Sequence, residues 1–197
     1  MRLKIRALTV IAVTVGLLFT MAAFSGKKTF EIQKPSSSMV VQGTSSLHDW
    51  KIELKDFRGE MSAVADGSNM KIEAVTFRGK AKSLKSDNST MDGKTYDALK
   101  VDKHPDITYA IKSSRDVQIK DKKFTGLITG DLTIAGKTRQ ETIQFSGVMI
   151  SDNKMQIRGS KKLRMSDFGV DPPTAMLGAL KTGNDVTITF ILIMALK

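Results

Sequence analysis

Trp50-Lys51-Ile52-Glu53-Leu54-Lys55 alternates apolar and charged residues strictly. Successive side chains of an extended chain point to opposite faces, so this run reads as a half-buried β-strand. The same period recurs along the chain. Met70, Ile72 and Ala74 alternate with Lys71 and Glu73, and Ile107, Tyr109 and Ile111 alternate with Thr108 and Ala110. Phe124, Ile128, Leu132 and Ile134 share one face of a long strand that carries Gly126 and Gly130. Ile143, Phe145 and Met149 follow, then Met155, Ile157, Leu163 and Met165. The last strand, Val186 to Leu196, puts Val186, Ile188, Phe190, Leu192 and Met194 on one face and is apolar on both from Phe190 onward. Such a strand is covered on both sides or lies against a terminal segment.

Turn chemistry punctuates these runs. Asp66-Gly67, Asp92-Gly93, Ala135-Gly136 and Thr182-Gly183-Asn184 supply residues that tolerate positive φ, and Asp152-Asn153 sits at hairpin distance between two strands. Gly59, Gly126, Gly130 and Gly159 fall within strand patterns, where glycine marks bends or bulges. Two segments resist a strand reading. Thr90 to Val101 spaces Met91, Tyr96, Ala98 and Leu99 as a helix does, and Asp171 to Leu180 opens with a helix-capping acid before Pro172-Pro173. Both read as short helices or turns at a barrel mouth. About eight strands with one or two short helices predict an all-β fold, a closed or nearly closed antiparallel barrel. A barrel of that size has room for one slender ligand.

The chain has 197 residues, enough for one domain with its own core. Residues 1–25 differ in character from the rest. Arg2, Lys4 and Arg6 precede an uncharged apolar run from Ala7 to Phe24, and Ala23 and Ser25 are small residues at the −3 and −1 positions of a cleavage after Ser25. This is the layout of a secretory signal peptide, with an uncleaved membrane anchor as its rival. Residues 26–38 read as a polar, extended lead-in, and 39–197 as the barrel domain. The expected location is periplasmic or secreted.

Cysteine is absent, which excludes disulfides, thiolate metal sites and cysteine nucleophiles. The formal net charge is +11. A basic exported protein is drawn to anionic membrane surfaces. Export and the lack of a basic helix or clustered aromatic platform argue against nucleic acid as the partner. Most of the lysines read as solvated outer faces of strands.

Several short motifs carry a family resemblance. They are Ser45-Ser46-Leu47-His48-Asp49-Trp50, then Ala98-Leu99-Lys100 with His104-Pro105-Asp106-Ile107-Thr108-Tyr109, and then Gly130-Asp131-Leu132-Thr133-Ile134-Ala135-Gly136-Lys137-Thr138. Asp167-Phe168-Gly169-Val170-Asp171-Pro172-Pro173 and Asp185-Val186-Thr187-Ile188 complete the series. In this order and spacing, from about Met39 to Leu196, the chain resembles the polyisoprenoid-binding YceI-like family. The resemblance implies a lipocalin-like barrel whose elongated apolar interior holds a polyisoprenoid or similar long-chain amphiphilic lipid. Periodicity alone does not separate a filled barrel from a hollow one; the resemblance tips the reading toward hollow. The residues expected to line the ligand are Trp50, Ile52, Leu54, Phe77, Ile107, Tyr109, Ile111, Leu132, Ile134, Phe145, Phe190 and Leu192.

No enzyme chemistry is expected. His48 and Asp49 are adjacent, so in an extended strand they face opposite ways and do not form a triad pair. No strand-to-helix nucleophile elbow accompanies Ser45. The alternative is a hydrolase or other enzyme acting on a small amphiphile with His48 as base. His48 and His104 are the only histidines, too few without help from carboxylates for a metal site, so no metal and no cofactor are expected. One outcome follows from the N-terminal reading. Intact-mass analysis of protein from its native cell is expected to give a chain beginning at Gly26; a full-length mass in the membrane fraction would identify an anchor instead.

Overall fold

The computed structural model describes residues 26–66, 68–115 and 117–197. The expected signal segment, residues 1–25, and Gly67 of the Asp66-Gly67 turn lie outside the described residues. The described chain is a closed eight-strand antiparallel barrel in which each strand of the wall pairs with the one before and the one after it.

Several strands of this wall are interrupted. β1 (Gly26–Ile32) and β2 (Ser38–Ser45) run along the same edge of the last strand. β3 (Trp50–Leu54) continues as β4 (Phe57–Asp66). β5 (Asn69–Lys80) continues as the two-residue β6 (Leu84–Lys85), which pairs with β3. β7 (Asp106–Ser114) continues as β8 (Val117–Lys120), both lying between β5 and β9. β9 (Lys123–Ile134), β10 (Lys137–Ser151) and β11 (Lys154–Arg164) form a long meander. β12 (Thr174–Ala175) is a short strap, and β13 (Leu180–Leu196) closes the barrel by pairing with β11, β2 and β1.

The polar lead-in of residues 26–38 is extended, but it belongs to the wall. β1 pairs with β4 over Gly26–Glu31 and with β13 through Phe30↔Leu196 and Ile32↔Met194. Phe30 is completely buried. Its four charged neighbours, Lys27, Lys28, Glu31 and Lys34, disguise the alternation of a strand with one inner face. The break between β1 and β2 is a 3₁₀ turn, Lys34–Ser36. Around it Gln33 N–H donates to the Ile193 carbonyl (2.7 Å) and Ile193 N–H donates to Ser37 Oγ (2.9 Å). The doubly apolar end of β13 is thereby satisfied where its partner strand changes.

Helix α1 (Ser89–Leu99) realises the expected helical segment. Asn88 caps it by accepting from Met91 N–H (3.1 Å), and Lys100 ends it in the left-handed region. Asp92-Gly93 therefore lies within a helix, not in a turn. The Asp92 carboxylate is buried and accepts from Ser86 N–H (2.8 Å) and Ser86 Oγ (2.7 Å), and an acid in the first turn suits the helix dipole. Tyr96 Oη donates to the Leu84 carbonyl (2.8 Å), fixing α1 on β6 across one end of the barrel.

The expected helix capped by Asp171 does not form. Pro172-Pro173 holds the chain extended into β12, and the positive φ of Leu177 and Gly178 stops the short 3₁₀ turn Met176–Gly178 from propagating. Thr182-Gly183-Asn184 is an irregularity inside β13, where the register with β2 shifts. There Asn184 Oδ1 accepts from Ser166 N–H (2.9 Å) and binds the 3₁₀ turn Met165–Phe168 to the strand.

The strand glycines make room for rings. The ladders run through Gly59 and Gly126 without a shift, the β10–β11 ladder ends at Gly159, and Gly130 sits beside a shift, between Ile111 and Ser113. A Cβ on Gly43 would lie 2.3 Å from the Trp50 ring, on Gly126 2.5 Å from Phe145, on Gly147 2.2 Å from Phe124 and on Gly159 2.4 Å from Phe190. Each of these rings belongs to the residue directly across the ladder.

The barrel is filled at one end and hollow at the other. Phe30, Met70, Val117 and Met155 are wholly buried in the half that holds the β10–β11 turn and the C-terminus, packed with Met61, Ala63, Ile72, Phe124, Phe145 and Met194.

Two outcomes follow from these contacts. A methyl on Gly130 would sit 2.3 Å from the Ala110 carbonyl oxygen and 2.8 Å from the Tyr109 ring, so Gly130→Ala is expected to cost about 1–3 kcal/mol. Gly93 in α1 has open space around it, and Gly93→Ala is expected to gain about 0.5–1 kcal/mol. Urea midpoints at unchanged slope measure both. The second outcome concerns Asp106, which sits between Lys80 Nζ (3.0 Å) and Arg78 Nη1 (3.2 Å). The Lys80 hydrogen bond, helped by the charges of Lys80, Arg78 and Arg58, holds its carboxyl below the usual carboxylate range against the opposing push of burial. A depressed folded value means the stabilisation is present above the unfolded value and is lost as pH falls through the folded one. Asp106→Asn should lower stability at pH 7 by an amount that holds down to about pH 4 and then declines as pH falls further, through the folded value.

Candidate ligand-binding site

The hollow half contains two joined cavities. The outer one, about 330 Å³, lies under α1 and opens between the β2–β3 turn, β12 and α1. Its wall is the inward face of the strand first read from the sequence. Ile52 and Leu54 are buried beside Leu84, and Met39 and Val41 stand across from them on β2. Trp50 lines the mouth with its indole laid over Gly43, and its Nε1–H donates to the Thr44 carbonyl (3.0 Å), so the ring presents an apolar surface. α1 contributes Met91, Ala98 and Leu99 from above, and Leu163, Phe168 and Val170 close the far side.

His48, Lys94, Arg164 and Lys181 also border this cavity, and among the described residues no carboxylate does. Lys94 Nζ donates to the Thr174 carbonyl (2.8 Å), tying α1 to β12 across the opening. The charged side chains that line the mouth among the described residues are thus basic.

The inner cavity, about 150 Å³, reaches toward the filled end. Met39, Phe77, Ile107 and Ile188 border both volumes and form the waist between them. Tyr109, Leu132, Ile143, Phe145, Phe190 and Leu192 form the inner walls; Met61, Ile72 and Met194 form the floor. Burial pushes the Tyr109 phenol up to about 12, with the carboxylates of Asp131 and Glu141 adding to the shift. The ring is thus neutral at any physiological pH.

All but one of the twelve residues expected to line the interior border these cavities. Trp50, Ile52, Leu54 and Ile134 border the outer one; Tyr109, Leu132, Phe145, Phe190 and Leu192 border the inner one; Phe77 and Ile107 border both. Ile111 is the exception. It packs against the filled core, below the floor of the cavity. The lining residues missing from the expectation include Met39 and Val41 on β2, Met91, Ala98 and Leu99 on α1, and Phe168 and Val170 after β11, together with wall residues such as Val75, Ile128, Ile143, Ile157 and Ile188. Met39-Val40-Val41 and the helical spacing of Met91, Ala98 and Leu99 were the signals that could have found those on β2 and α1.

The Ser45–His48 segment is a closed turn. Ser45 Oγ donates to the His48 carbonyl (2.7 Å) and accepts from Leu47 N–H and His48 N–H (both 3.2 Å). His48 Nδ1 lies 2.6 Å from the Asp49 backbone carbonyl, not its carboxylate. Among the described residues no three His, Cys, Asp or Glu side chains gather where an ion could sit.

No curated protein matches the sequence. Similar solved structures include a polyisoprenoid-binding domain from Saccharophagus degradans, with a TM-score of 0.65 and 11% identity over 85% of this chain and 98% of that one. BcnA from Burkholderia cenocepacia gives 0.63 and 14% over 82% and 98%. The YCEI protein of Campylobacter jejuni gives 0.56 and 22% over 73% and 82%. At these identities the likeness is one of fold. The family model of the YceI-like domain matches residues 24–194, nearly the whole length, and the chain belongs to the YceI-like family.

Proposed function

We propose that this protein is a non-catalytic carrier of one long apolar lipid, a polyisoprenoid or similar amphiphile, acting outside the cytoplasm. The observation that carries the reading is the pair of joined apolar cavities running from a basic mouth to the filled end of the barrel. Each methylene transferred from water into such a space contributes about 0.8 kcal/mol. A tail therefore binds through burial alone, and selectivity falls to the length of the cavity and to what meets the head. The basic rim suits an anionic head and contact with an anionic membrane surface from which lipid is loaded. The name of the Saccharophagus degradans neighbour points to the same ligand class. The Ser45 turn supports binding over turnover: its hydroxyl is occupied by backbone groups, and the neighbouring imidazole has a backbone carbonyl for a partner. The twelve residues named from the sequence are the proposed lining, except Ile111.

Organic extraction of the purified protein followed by mass spectrometry is the direct test, and a stoichiometric long-chain lipid is the expected result. Steady turnover of an amphiphilic ester that is lost in His48→Ala would overturn it. Within the cavity, Ile134→Trp adds bulk without charge. It is expected to weaken binding of the co-purifying lipid by about tenfold or more, equivalent to about 1.4 kcal/mol. The single tryptophan of the native chain, Trp50, lines the mouth and gives a fluorescence signal for titrating the unaltered protein. Unchanged affinity in a stably folded Ile134→Trp would remove Ile134 from the site.

A further inference from the structure

The inward face of β11 carries Met155, Ile157, Lys161 and Leu163, with Gly159 between them, and Lys161 is the one charged residue in that series. The lysine borders the inner cavity. Its ammonium donates to Glu141 Oε2 (2.6 Å) and to the Thr142 carbonyl (3.0 Å). Both partners lie on β10 just beyond the point where the β10–β11 ladder stops, at Phe145↔Gly159. The side chain thus bridges a seam in the wall at which no strand neighbour meets the Thr142 carbonyl.

Two acceptors use two of the three N–H bonds of an ammonium. Tyr109 borders the same cavity, and its hydroxyl lies 3.5 Å from the Glu141 carbonyl, a long contact that leaves its hydrogen-bonding capacity largely unspent. Two other polar residues touch this cavity, Glu60 and Thr76, and both are exposed; Glu60 accepts from Lys197. Closing the seam does not require a charge, because an ion pair of this kind is often replaced by apolar residues at no loss of stability.

We propose that Lys161 and Tyr109 form an internal polar subsite that hydrogen-bonds an uncharged oxygen acceptor, a carbonyl or hydroxyl oxygen, near the leading end of the bound lipid. The proposal rests on the carrier reading and deepens it. The acceptor is uncharged because Glu141 already neutralises the lysine; a second anion there would meet that carboxylate in a low-dielectric space. The end of the chain that reaches the inner cavity carries an uncharged oxygen, while an anionic head stays at the basic mouth, and the protein separates chains oxygenated at that depth from plain hydrocarbons of the same length.

Hexadecane and 2-hexadecanone, each competing with a fluorescent fatty probe on the unaltered protein, test this. The ketone is expected to bind at least about tenfold more tightly, a difference of about 1.4 kcal/mol. Lys161→Met alone would leave Glu141 unpaired, so the double variant Glu141→Gln/Lys161→Met is measured with it, and Tyr109→Phe provides a variant that loses one hydroxyl only. In the double variant the preference should fall to near one through loss of ketone affinity, with hexadecane unaffected; in Tyr109→Phe it should fall partway. A wild-type preference near one overturns the subsite. So does equal weakening of both probes in the variants, which would mark a structural role. If the double variant fails to fold, Tyr109→Phe decides: an unchanged preference overturns the subsite. Failure of both probes to bind the unaltered protein at all would instead remove the carrier reading beneath it.

Discussion

The hollow interior depends on where the aromatic rings lie. In this barrel Trp50, Phe124, Phe145 and Phe190 each lie over a glycine on the neighbouring strand, at separations that would not admit a Cβ. Tyr109 lies over Gly130 in the same way. A ring laid along the wall keeps its burial energy, since its face covers backbone that would otherwise be bare, and it does not cross the lumen. Phe145 and Phe190 show the balance: they pack on the filled core and also border the inner cavity.

Closure places a second demand on the chain. One strand, β13, must serve β11 on one side and both β1 and β2 on the other. The 3₁₀ turn at Lys34–Ser36 and the irregularity at Thr182–Val186 let a continuous strand meet a broken one. The breaks have a use at the other end of the wall. Where β5 gives way to β6, and β7 is preceded by α1, the chain leaves the barrel and returns as the cover of the outer cavity.

Charge is distributed by the same geometry. Lysines on the outer faces of strands are solvated, and the exposed ion pairs among them contribute little each. At the mouth the absence of carboxylates leaves Lys94, Arg164 and Lys181 to act together with His48. Inside, the single lysine of the inner wall is balanced by Glu141 and held at a seam. The rim and the interior therefore present a ligand with different groups, basic side chains at one and a neutralised ion pair at the other.

The sequence by itself determined the barrel. Alternation at Trp50–Leu54, Phe124–Ile134 and Val186–Met194 assigns the inner face of each strand, and a one-residue error would have reversed it. It also named eleven residues that border the cavities, because a residue on the apolar face of a barrel strand has only the interior to face. Strict alternation failed where the backbone departs from it. The irregularity opposite Ser62/Ala63 shifts the register of β5, so Ala74 is exposed while Val75 and Phe77 turn toward the interior. Gly26–Ile32 was too polar to look like a wall strand, and only its pairing with β4 and β13 makes it one. The tertiary structure alone decided which part of the interior is empty. Ile107 and Ile111 share a face of one strand, yet the first borders the cavity and the second packs in the filled core. Local pattern states which way a side chain points; the volume it meets is the sum of what every other strand sends to the same depth.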